Sequence, residues 1–373
     1  MNRFSPTTRA CGAALLAGFG VVPALAADNE ITTAISGYGT VAATVTDNSD
    51  TQYISSLQQF KGATKEPDIG AESRLGLQGV VTFDPQFSVT AQALAKRRGN
   101  TDFDIGTEWL FGQYTPMPGL DLRLGRVAMP TFLVSDSRNV GYAATWLRAP
   151  NEVYTVMPFT TLDGGQAIWR ATVGSVALTS QLSYGKTSVT VAAGTGSFNV
   201  DAKSVVSLAF VAETGNWTLR LADSRMSLPT SIPLSQTVTL NFTNKDTFLS
   251  AGVQYDDGKV IVLSEFAKRS EDNAPILGEP LSASASSYVA AGYRIGSFTP
   301  MVRYSHVKYG KSLTAAPVQN SEGLILRYDA FRNVAFKAQI DRYDASNPTA
   351  FISTQATTGK KIDVLSVGAD FVF

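Results

Sequence analysis

Residues 362–373 constrain this chain most. There Leu365, Val367, Ala369, Phe371 and Phe373 fall at every second position, with Ser366, Gly368 and Asp370 between them. Successive side chains of a β-strand point to opposite faces, so this spacing predicts a strand with one apolar and one polar side. A helix would scatter the same residues around its circumference. The strand is expected to be the last of a sheet, and everything upstream then serves to bring a first strand round to it.

Residues 1–26 carry Arg3 and Arg9, an apolar run over 10–22, and Ala24-Leu25-Ala26. A charged start, a short apolar middle and a small-residue exit predict a secretory signal cleaved near Ala26; the run is short for a membrane span. Cys11, the one cysteine, lies inside it, so the expected mature chain, 27–373, has no disulfide, thiol nucleophile or thiolate ligand. Without Arg3 and Arg9 the basic count falls from 31 to 29 against 31 acidic residues. That near-neutrality gives a nucleic-acid role no electrostatic basis. After residue 26 no apolar run approaches the roughly twenty residues of a helical span. The apolar content is spread in short pieces among 31 glycines, which fits a transmembrane β-barrel, whose outer face is apolar only at alternate residues.

Alternating segments recur along the chain. The first, 35–45, sets Gly37, Gly39, Val41 and Ala43 against Tyr38, Thr40 and Thr44. Tight turns are expected at Asp84-Pro85-Gln86, Met117-Pro118-Gly119, Gly174-Ser175, Gly215-Asn216, Asp256-Asp257-Gly258, Gly296-Ser297 and Arg332-Asn333. Longer polar loops join the hairpins, among them 46–72, 127–165, 185–203, 223–246 and 344–360. Seven tight turns and eight long loops imply sixteen strands. In lipid only a closed sheet satisfies every strand, so the expected fold is all-β: one sixteen-stranded antiparallel transmembrane barrel with short turns on the periplasmic side.

Four local sequences carry a more specific likeness. Ser73-Arg74-Leu75-Gly76-Leu77-Gln78-Gly79, Leu124-Gly125-Arg126, the run from Glu322 to Asp329, and Asn333 to Gln339 resemble the second strand, the entry to the third loop, and the strand-turn-strand before the last loop of the general porins. Together with the aromatic end and the signal segment, they make the whole mature chain resemble those trimeric, sixteen-stranded Gram-negative proteins. The resemblance implies a passive outer-membrane diffusion channel for small hydrophilic solutes and ions. It also implies a homotrimer in outer-membrane lipid, no cofactor, and insertion by assembly machinery that reads the terminal Phe373.

The longest loop, 127–165, offers Asp136, Arg138, Arg148, Glu152 and Asp163 among Tyr142, Trp146, Tyr154 and Phe159. So long a stretch without strand period belongs in a compact fold only if it packs and serves a purpose, and the resemblance implies that it folds into the lumen and narrows it. Strand phase puts Arg74, Lys96, Arg123, Arg170, Arg220, Arg294, Arg303, Arg327 and Lys337 on the inner face, against Glu108, Asp121, Asp341 and Asp370. The expected constriction sets Arg74, Arg126 and Arg170 across an aqueous gap from Asp136, Glu152 and Asp163. Lys96, Glu108, Arg123, Arg220 and Arg303 are expected on the pore wall. The excess of bases predicts weak anion preference, and Glu108, where porins often carry arginine, argues against a strong one. Gly37, Gly39 and Ala43, small residues on the outward face of the first strand, are the expected trimer interface.

The alternative is a substrate-selective channel for organic acids or phosphate on the same barrel. An outer-membrane enzyme would need a serine and an orienting amide beside His306, the one histidine. An adhesin would need a plugged lumen. No phosphate loop or metal-ligand cluster is present after the signal segment.

If Phe373 completes an apolar row that the assembly machinery reads, deleting it should sharply reduce the heat-resistant, correctly assembled form on gels. Normal assembly of the shortened chain would contradict this reading of the terminus.

Overall fold

The computed structural model describes residues 31–99, 103–193, 196–233, 239–272, 283–310, 318–345, 351–353 and 360–373. The expected signal segment, 1–26, lies outside them. In chain order the strands are β1 (Thr32–Thr46), β2 (Thr51–Tyr53), β3 (Arg74–Thr82), β4 (Phe87–Lys96), β5 (Asp104–Met117), β6 (Leu120–Ala128), β7 (Thr161–Val173), β8 (Val176–Ala193) and β9 (Gly196–Thr214). They continue with β10 (Trp217–Pro233), β11 (Thr239–Asp256), β12 (Val260–Glu271), β13 (Ser284–Tyr293), β14 (Phe298–Tyr309), β15 (Val318–Phe331), β16 (Val334–Ala345), β17 (Phe351–Ser353) and β18 (Lys360–Val372). Sixteen of them form one closed antiparallel barrel in which each strand pairs with its neighbour in sequence and β1 pairs with β18; β2 and β17 form a separate two-stranded sheet.

Alternation sets the two faces throughout. On β15, Leu324 and Leu326 are 62% and 44% exposed while Ile325 between them is 3% exposed. On β18, Leu365 and Val367 are exposed and Ser366 and Asp370 are buried. The closing register sets Thr40 opposite Asp370 and Thr44 opposite Ser366 on the inner face, and Gly39 opposite Phe371 on the outer. The Thr40 hydroxyl donates to Asp370 at 2.5 Å, and Thr44 and Ser366 bond at 2.8 Å.

Several expected boundaries move. Residues 185–203 and 223–246 are not loops: β8, β9, β10 and β11 run on through most of both stretches. Thr187, Val189 and Val191 keep a buried period of two there, and β-branched residues at that spacing hold a strand although the stretch reads as polar. β7 likewise begins at Thr161, so the long loop spans 129–160 and Asp163 stands on a strand. The three-residue strands β2 and β17 were too short to show a period.

The small residues expected at the trimer interface have neighbours within the chain itself. A Cβ added to Gly37 would lie 2.2 Å from Phe373 Cζ, and one on Gly39 would lie 2.3 Å from Phe371 Cζ. The two rings stack at 6.4 Å and 18°, and Gly37 and Phe373 exchange backbone hydrogen bonds of 2.8 and 2.9 Å. The room that Gly37 and Gly39 leave on the outer face is therefore filled by the chain's own terminal aromatics. Of the three residues named for that interface, Ala43, opposite Val367, is the one without such a ring assigned to it. Aromatic cover of strand glycines pins register, and here it does so at the seam that closes the barrel.

Gly39→Leu should cost about 1–3 kcal/mol through overpacking against Phe371, read as a lower temperature for loss of the folded band on gels. Adding Phe371→Ala should recover much of that loss, because the two residues share one space. Strictly additive effects would contradict the contact.

Candidate functional site

The segment 129–160 between β6 and β7 contains a 3-10 turn at Gly141–Ala143 and a single helical turn, α1 (Asn151–Tyr154). It docks through hydrogen bonds to buried side chains of β11 to β18. Arg148 bonds Asp341 through Nε, the Ser366 hydroxyl at 2.5 Å and the Val364 carbonyl at 2.8 Å. Arg303 then donates to the Arg148 carbonyl at 2.9 Å and to Asp341 at 2.8 Å. Lys337 donates to the carbonyls of Gly141 and Ala144 at 2.7 Å each and pairs with Asp370 at 2.7 Å. Arg327 donates to the carbonyls of Tyr142 and Ala144 at 2.7 and 2.8 Å. Glu265 accepts from Leu133 N–H and from the Tyr154 and Tyr288 hydroxyls at 2.5, 2.5 and 3.0 Å.

Apolar packing reinforces this docking. Phe132 stacks on Tyr154 at 4.5 Å and meets Phe248 edge-on at 5.4 Å, while Trp146 meets Tyr288 at 5.8 Å. Each such pair contributes about 0.5–1.5 kcal/mol beyond its buried area. The segment is therefore held mainly against β11 to β18 by both charge and packing.

The residues named for the constriction divide. Arg74 donates to the carbonyls of Asn139 and Glu72 at 2.8 and 3.2 Å and so touches the loop's backbone, not one of the expected acids. Arg126 and Asp163 do not face each other across a gap: they are register partners on β6 and β7, joined by two hydrogen bonds of 2.7 and 2.8 Å. Arg170 pairs with Asp121 at 2.6 Å, not with the loop. Glu152 is fully buried, accepting from Gln319 at 2.6 Å. Burial pushes its carboxyl above the usual range, against the pull of Arg303 and that hydrogen bond.

Asp136 is exposed on the loop and lies within electrostatic reach of Arg123 and Arg220. Of the wall residues, Arg123 bonds Gln113 at 2.8 Å and lies 4.8 Å over the Phe111 ring. Arg220 is buried with Nε and Nη2 unbonded among the described residues. Glu108 accepts from Asn139 at 3.0 Å and lies 3.8 Å from Arg98. Lys96 stands opposite Arg74. Arg303 is a loop anchor, not a solvated wall charge.

Sequence reasoning missed Arg148 as the loop's anchor and Arg327 and Lys337 as its seats. Their inner phase was readable, but their partners are backbone carbonyls, which leave no mark in a sequence. His306 does have an amide beside it, Asn320 at 2.7 Å from Nδ1, but among the described residues no hydrogen bond joins it to a serine.

Breaking a buried ion pair costs about 3–5 kcal/mol because the remaining charge loses its partner. Arg148→Ala should therefore lower the unfolding temperature and expose 129–160 to added protease. Arg342→Ala, which removes an exposed pair with Asp363 at 2.7 Å, should do neither. Equal behaviour of the two variants would contradict the anchoring role.

No known protein-family model matches the chain, and no curated protein matches it. Its fold is found among solved structures. The anion-selective porin from Comamonas acidovorans aligns at a TM-score of 0.61 and 12% identity over 92% of this chain and 100% of that one. Salmonella typhi OmpF, in a complex with daunomycin, aligns at 0.59 and 13% over 91% and 97%. The trimer form of OmpT, an outer membrane protein of Vibrio cholerae, aligns at 0.60 and 12% over 92% and 99%. The chain has the sixteen-stranded barrel fold of the outer-membrane porins.

Proposed function

We propose that the protein is a passive diffusion channel of the Gram-negative outer membrane for small hydrophilic solutes and ions. In this reading it is weakly anion-preferring, assembles as a homotrimer and uses no cofactor or catalytic residue. The observation that carries the proposal is the two-sidedness of the closed sheet, apolar outside and charged inside. On the inner side, segment 129–160 is docked mainly on the strands from β11 to β18 and brings the exposed Asp136 within reach of Arg123 and Arg220. Likeness to a porin described as anion-selective supports the class of function, and likeness to a trimeric protein supports the assembly.

Segment 129–160 narrows the interior in this reading, and Asp136 opposite Arg123 and Arg220 sets up a transverse field. A unit-charge pair several ångströms apart is worth about 1 kcal/mol in water and about 4 at an intermediate dielectric. Energies of that size bias permeation without trapping an ion. Arg74 and Arg126, committed to Asn139 and Asp163, leave this role to Arg123 and Arg220. A substrate-selective channel for organic acids or phosphate is the second reading, favoured by the basic cluster around Lys96.

The purified protein should give stepwise ionic current in a planar bilayer. Arg123→Gln combined with Arg220→Gln should shift the zero-current potential toward cations, more at low salt than at high salt, because screening shortens the reach of each charge. A wild-type potential in the double variant at about 0.1 M salt, where the Debye length is about 10 Å, would remove these residues from the permeation path.

A further inference from the structure

Three cations converge where β3 and β4 meet the loop, and among the described residues no carboxylate stands at ion-pair distance from them. Arg74 lies directly opposite Lys96 in the ladder. Both have the inner phase, since Leu75 and Leu77 are exposed and Gln78 and Leu94 are buried. Like charges opposite each other on one face destabilise a sheet, so this pair works against the fold that contains it. Arg138 comes from the loop to the same place, lying 5.6 Å over the Tyr154 ring and within electrostatic reach of Arg74 and Lys96.

None of the three has a carboxylate within 4.0 Å among the described residues. The acids that act on them at longer range, Glu72, Glu108 and Glu265, each have closer partners of their own. Glu108 lies 3.8 Å from Arg98 and accepts from Asn139 at 3.0 Å. Glu72 lies 3.6 Å from Arg148 and accepts from the Tyr53 hydroxyl at 3.1 Å. Burial lowers the Arg138 pKa from its ordinary value, against the pull of Tyr154 and Glu108.

The three side chains line a cavity of about 130 Å³ between segments 54–74 and 129–160, together with the Glu72 and Arg148 pair and the neutral Gln58 and Asn139. That volume holds about four waters at roughly 30 Å³ each, or one small organic anion. Guanidinium groups match the planar fork of a carboxylate or the oxygens of a phosphate, and the lysine adds a point charge. A monoanion would leave two of the three charges uncancelled, and a dianion leaves one.

We propose that Arg74, Lys96 and Arg138 form a binding subsite for a small doubly charged oxyanion, a short dicarboxylate or phosphate. The subsite lies beside the permeation path and rests on the channel reading for its purpose, but not for its existence. It reverses the arrangement expected from the sequence, in which the loop offers only acids to the basic wall: here the loop contributes a cation.

Calorimetric titration of the detergent-solubilised protein tests this directly, with succinate, inorganic phosphate and acetate as separate titrants. Saturable binding of succinate or phosphate is expected, and the tighter of the two identifies the source. Acetate should bind about tenfold more weakly, and Lys96→Gln and Arg138→Gln should each weaken dianion binding by about tenfold. Lys96→Arg should keep it, Lys259→Gln in a tight turn should leave it unchanged, and gel mobility confirms that each variant is folded. No saturable heat from either dianion, or wild-type binding by both glutamine variants, overturns the subsite. Bilayer current from a protein that binds neither dianion leaves the channel reading standing without the subsite; dianion binding by a protein that passes no current leaves the subsite standing without the channel.

Discussion

Backbone hydrogen bonding without water is the constraint on which the rest of the structure depends. In hydrocarbon an unpaired N–H or C=O costs several kcal/mol, so a sheet that crosses a bilayer must have no edge. Here the condition is met by β1 and β18, which pair in register from Tyr38 with Val372 to Thr46 with Val364. The seam is held on both faces. Inside, Thr40 bonds Asp370 and Thr44 bonds Ser366; outside, Phe371 and Phe373 cover Gly39 and Gly37. The glycines make room for the rings and the rings shield the glycines, so each explains the other.

Closure gives the barrel an inner face, and side chains of that face hold the loop. A loop of some thirty residues carries carbonyl groups that need donors. Arg303, Arg327 and Lys337 supply them from β14, β15 and β16. Asp341 and Asp370 balance the charges these donors bring. The result is asymmetric: on one side of the interior, charge is consumed in holding the loop. Elsewhere Arg123 and Arg220 lie within reach of Asp136, and Arg74, Lys96 and Arg138 have no carboxylate at ion-pair distance among the described residues.

The sequence made the barrel legible because its period of two is repeated sixteen times, and the tight turn expected at Asp84-Pro85-Gln86 does separate β3 from β4. It misled where polar β-branched strands extend beyond the apolar band, as in 185–203 and 223–246, because hydropathy reports what a strand faces and not whether it continues. The site was legible by residue type and phase but not by partner. Arg126 and Asp163 were both named and are indeed bonded, yet as ladder neighbours, since the start of β7 was placed too late. Arg303 was read as a solvated wall charge because its partner is the Arg148 carbonyl, and backbone acceptors are identical at every position. Arg138 was named on the loop but not placed in the constriction, which was expected to set loop acids against wall bases.

The account stands on one assignment, that the exposed apolar face meets lipid while the opposite face does not. The tryptophans divide accordingly: Trp169 and Trp217 are 54% and 50% exposed, and Trp109 and Trp146 are 9% and 4% exposed. Four variants, each keeping one tryptophan and replacing the others by phenylalanine, should be reconstituted in vesicles of acyl-brominated lipid and their fluorescence compared with unbrominated controls. Strong quenching of Trp169 and Trp217 with little effect on Trp109 and Trp146 is the predicted result; equal quenching of all four, or quenching confined to Trp109 and Trp146, would contradict the account.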